Sequence, residues 1–192
     1  MKKFLTLFII FTWLLYSCSQ DKKPVGKPYI SVPSVISTQV NQVDTSLYVI
    51  RKIVTVDSTS DTSFVRREDF AKEAKDFLEL PDLADPKIGK DYKQDSAIYE
   101  EFLNLVILTY RPKNKNALIR KQEILVTPSI LEGDHFHSIM VSTYTQNRNG
   151  SVQKEMLWQM DKNFQVVTTV QSPGQPEKTT IVKLIWSEGD GQ

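Results

Sequence analysis

The chain has 192 residues, 40% of them apolar, with 24 Lys and Arg against 23 Asp and Glu and a formal charge of +1. That length suits one packed domain with an extension and is short for two separate cores. The near-zero balance excludes recruitment of nucleic acid or an anionic surface by net charge, and a single cysteine, Cys18, excludes an internal disulfide.

Lys2 and Lys3 precede an apolar run, Phe4 to Leu15, broken only by Thr6 and Thr12. A basic head before an apolar core of this length reads as a secretory signal, well under the ~20 residues of a bilayer-spanning helix. The run closes on Leu15-Tyr16-Ser17-Cys18. This resembles the lipobox of bacterial lipoproteins, with Tyr16 standing where a small residue is usual. The resemblance covers only the first 18 residues. It implies removal of residues 1–17, lipidation of Cys18, and attachment to a membrane through its acyl chains. Without Lys2 and Lys3 the basic residues fall to 22 against 23 acidic, a balance of −1. Ser19 follows the cysteine where Asp would retain some lipoproteins at the inner membrane. By the same resemblance, that points to the cell envelope, at the outer membrane facing the periplasm.

Residues 18–45 read as the lipidated cysteine and a flexible tether: Ser, Gln, Val and Lys with little periodicity, and Pro24, Pro28 and Pro33 favouring extended chain. A single domain is expected over 46–187, with a polar tail at 188–192. Leu47 to Val56 is rich in β-branched residues and predicts a strand. Arg67 to Leu80 predicts a helix, because Phe70, Ala74, Phe77 and Leu78 recur at helical spacing and Pro81 stops it. Asp82 to Asp95 reads as loop. Phe102 to Tyr110 predicts a strand covered on both faces, with a helix over Ala97–Asn104 as the open alternative.

Leu118 to Thr127 and Phe136 to Thr145 follow as strands. Asn147-Arg148-Asn149-Gly150 is the strongest hairpin signal, since Asn and Gly tolerate positive φ. Beyond it Val152, Met156, Trp158 and Met160 share a face, and Phe164, Val166, Thr168 and Val170 alternate with their neighbours. Thr179 to Trp186 is the last strand. Short connections between strands imply an antiparallel meander.

The fold class is therefore α+β: one N-terminal helix packed on a curved antiparallel meander of six or seven strands. In layout this is similar to the half-barrel of periplasmic lipid and lipoprotein carriers, and a cystatin-like cone is the alternative. Neither likeness carries a function. The helix stripe and the Met and aromatic strand face offer candidate apolar-ligand residues: Phe70, Phe77, Met156 and Trp158. Phe77 is expected to pack on the face bearing Trp158.

His135 and His137 are the only histidines and share a strand face if Asp134–His137 is extended. With Asp134 they form a candidate metal set, short of a third nitrogen or sulfur ligand. The seven glycines form no phosphate-binding loop, and no Gly-x-Ser-x-Gly elbow is present. Nothing implies a cofactor. The sequence thus points to a membrane-anchored, non-enzymatic lipoprotein binding a partner protein or an apolar ligand. The alternative is a hydrolase or metal-dependent enzyme using His135 and His137.

Overall fold

The computed structural model describes residues 29–128 and 134–187. The signal, Cys18 and the polar tail lie outside them. The described chain is α+β. Helix α1 (Val32–Thr45) leads into the hairpin β1 (Ile50–Val56) and β2 (Thr59–Val65). A 3-10 turn at Arg67–Asp69 and the short helices α2 (Phe70–Glu73), α3 (Lys75–Leu78) and α4 (Pro86–Gly89) follow. Seven strands complete the chain: β3 (Tyr92–Glu100), β4 (Leu105–Pro112), β5 (Ile119–Thr127), β6 (His135–Asn147), β7 (Gly150–Gln159), β8 (Asn163–Gln171) and β9 (Lys178–Ile185).

All nine strands form one antiparallel sheet in the order β2-β1-β9-β8-β7-β6-β5-β4-β3. The sheet is open, with β2 and β3 at its edges. Alternate residues on its inner face are buried: Ile124 on β5, Ile139 and Val141 on β6, Met156 and Trp158 on β7, Phe164 and Val166 on β8, Leu184 on β9. The register sets Trp158 opposite Phe164 and Met156 opposite Val166, the cross-strand pairing that stabilises a half-buried sheet. The Asn147–Gly150 hairpin forms as expected, with Asn147 paired to Gly150. Gly150 is required there: its φ is +133°, and an added Cβ would run into the Gln171 carbonyl.

Over residues 32–45 the structure departs from the expected tether. They form α1, whose Val32, Ile36, Val40 and Val43 are buried in the core. Ser31 caps it, its hydroxyl accepting from the Ser34 amide and donating to Asp82 at 2.7 Å. Pro33 sits in the first turn, where a missing N–H costs nothing. The β-branched, Ser- and Gln-rich run has low helix propensity, and burial of its stripe overrides that.

The expected helix over Arg67–Leu80 is instead broken at Ala74 into single turns. Its stripe still serves its purpose, since Phe70, Ala74 and Phe77 are wholly buried. Nine strands replace six or seven. The polar β2 (TSDTSFV) lacks any apolar alternation because an edge strand needs only one partner. Strand β3 carries Lys93, Asp95 and Glu100 on an exposed edge, with a bulge between Gln94 and Ser96 that discourages further pairing. The helical alternative over Ala97–Asn104 gives way to this strand and its turn. The loop over 82–95 contains α4, capped by the Asp85 carboxylate on the Lys87 amide at 2.9 Å.

Candidate functional site

The four apolar candidates come together, but as core. Phe77 meets Trp158 edge-on at 5.1 Å and Phe164 at 5.5 Å. Trp158 stacks on Phe164 at 5.0 Å, and Phe70 closes the cluster against Trp186 at 5.1 Å. Phe70, Phe77 and Trp158 have no solvent exposure, and Met156 is nearly as buried. Rings at these separations and tilts fill their space with favourable edge contacts. Reaching them would require a ligand to displace α2 and α3 from the sheet.

The histidine segment opens β6. His135 and His137 are exposed, their rings edge-to-face at 4.8 Å, so they do share one side. His137 Nε2 lies 2.8 Å from the Thr127 hydroxyl. Burial first, and then neighbouring His135, hold the His137 imidazole below its ordinary value of 6.5. The Thr127 hydroxyl also faces the Asn104 carbonyl at 3.3 Å. A hydroxyl with a carbonyl to donate to is poorly placed as a nucleophile activated by the ring.

Two clefts adjoin these histidines. One, about 380 Å³, lies between α1 and β6, lined by Gln39 and Gln42 of α1 and by Asp134, His135, Phe136 and Asp161. The other, also about 380 Å³, continues along His137, Ser138 and the β7–β8 turn. Gln39 fixes the floor: its amide donates to the Asp161 carboxylate at 3.1 Å and its carbonyl accepts the Asp161 amide at 2.9 Å. Asp161 itself takes a φ of +59° at the turn.

Asp134 and His135 therefore share a cleft of mixed polar and apolar lining, with Val35, Phe136 and Met160 among its walls. No group of three or more metal-capable side chains gathers there or elsewhere among the described residues. The α1 side of the cleft falls in residues 32–45, which read as tether; the signal for it is the Ser31 cap with the helical spacing of Val32, Ile36, Val40 and Val43. Comparison with protein-family models, with curated proteins and with solved structures finds no match.

Proposed function

We propose that this chain is a non-enzymatic lipoprotein of the cell envelope, anchored through acyl chains on Cys18 at the outer membrane and facing the periplasm. The order of Lys2 and Lys3, apolar core and Leu15-Tyr16-Ser17-Cys18 carries this reading. Several buried chains at ~0.8 kcal/mol per CH₂ give durable attachment. The folded domain binds a partner protein. An open antiparallel sheet with a helix on one face supports the half-barrel layout of lipid and lipoprotein carriers. A carrier of that kind needs empty apolar space, and here α1 and the Phe70–Phe77–Trp158 cluster occupy the inner face. That favours a protein partner over an enclosed apolar ligand. The Asp134–Asp161 cleft, walled by α1, combines Val35, Phe136 and Met160 with Gln39, Gln42 and two carboxylates, a mixed surface suited to such a contact. Replacing Cys18 with Ala tests the reading: the precursor should remain uncleaved and unacylated. Normal maturation of that variant would overturn it.

A further inference from the structure

The exposed apolar side chains are not scattered. The Tyr29 hydroxyl donates to the Tyr92 carbonyl at the start of β3, so the chain enters the domain at that end of the sheet. Strand β3 runs away from it to the β3–β4 turn. The register carries this far end across the sheet, through Glu100–Leu105, Ser138–Gln159, Asn163–Ile185 and Arg51–Phe64. Among the described residues, the eight large apolar side chains exposed by 46% or more all lie there. They form two groups on opposite edges. Ile98, Tyr99, Phe102 and Leu103 make a protruding tip, with Phe102 99% exposed. Leu47, Tyr48, Val49 and Phe64 surround the β1–β2 edge.

The two groups are complementary. No Lys or Arg occurs between Lys93 and Arg111, and the tip carries Glu100 and Glu101, neither of them in an ion pair within the described structure. At the other edge, Val49, Arg51, Phe64, Ile185 and Trp186 line a groove of about 260 Å³. A cavity of roughly 150 Å³ accepts a benzene ring, so the groove has room for the side chain of Phe102. Anionic lipid would repel the two tip carboxylates, whereas a groove lined by Val49, Phe64, Ile185 and Trp186 offers apolar walls to the Phe102 ring.

We propose that the tip is a plug and the β1–β2 groove its socket, joining two copies of this chain. Because plug and socket lie at the same end on opposite edges, a two-fold axis normal to the sheet brings both pairs together at once. That is the self-complementary arrangement of a closed dimer. The eight side chains together hold roughly 1,000 Å² of accessible surface, comparable to the ~800 Å² each partner contributes to a standard interface. Phe102, the most exposed of the eight, is the anchor.

The test is sedimentation velocity on residues 19–192, which retain every member of the hydrophobic cluster, from micromolar to about 1 mM. A concentration-dependent dimer is expected, weakened roughly tenfold or more by Phe102→Asp or by Phe64→Asp. Neither variant touches the core, so both should keep the wild-type circular dichroism. The decisive arm mixes the two variants. One intact plug and one intact socket then remain, and a heterodimer should form where neither variant pairs with itself. A monomer across the whole range, a dimer indifferent to both substitutions, or a mixture no better than its components would each overturn the proposal. So would a wild-type monomer that floats with anionic or zwitterionic vesicles and loses them in Phe102→Asp, which would make the tip a lipid contact.

Discussion

Replacing Phe77 with Ala removes the ring at the centre of the core. The side chain is wholly buried and sits edge-on to Trp158 at 5.1 Å and to Phe164 at 5.5 Å. Losing a phenyl group from such a site costs the transfer free energy of the ring plus the cavity it leaves, about 3–5 kcal/mol. The two aromatic contacts, each worth ~0.5–1.5 kcal/mol beyond area, place the loss toward the upper half of that range. Against a typical domain stability of ~5–15 kcal/mol this is a large fraction. In urea, a slope of ~2 kcal/mol/M converts it to a midpoint lower by about 2 M. Equilibrium denaturation followed by tryptophan fluorescence measures it, with Phe102→Ala, at the exposed tip, as the control expected to move the midpoint little. A loss under ~1 kcal/mol for Phe77→Ala, or equal losses for both, would refute the packing argument.

Ile36→Ala should cost about 2–5 kcal/mol, because Ile36 is buried at the centre of the α1 stripe; a loss near zero would return residues 32–45 to a tether. Gln122 is buried on β5 with its amide nitrogen unpaired, so Gln122→Met should raise stability by ~1 kcal/mol, and a lower midpoint would contradict that. Proton NMR should find His137 titrating below 6.5, since burial and then His135 disfavour its charged form. The unfolded chain then takes up that proton first as pH falls below 6.5, so the contribution of His137 to stability is present above that pH and shrinks beneath it. A midpoint at 6.5 would abolish this contribution, and one above 6.5 would reverse its sign.

Legibility in the sequence followed the period of burial. Strands β5 to β9 were readable because each buries one face, and Met156, Trp158, Phe164 and Val166 alternate accordingly. The Phe77–Trp158 contact followed from the same logic. Strands β2 and β3 were not, since an edge strand exposes most of its side chains and leaves no alternation. Helix α1 hid behind poor propensity: its stripe of Val32, Ile36, Val40 and Val43 is apolar at helical spacing, but Ser, Thr, Gln and β-branched residues surround it. The same poor propensity concealed Gln39 and Gln42, which line the cleft beside His135. That His135 and His137 share a side was legible from period two alone, whereas the shape of the cleft depends on a helix nearly a hundred residues earlier.

Mass spectrometry of the N-terminal peptide from the membrane-extracted protein bears most directly on the proposed anchor. Acylated Cys18 as the first residue, with residues 1–17 gone, is the expected result. A mature chain that begins elsewhere and carries Cys18 as a free thiol would contradict it.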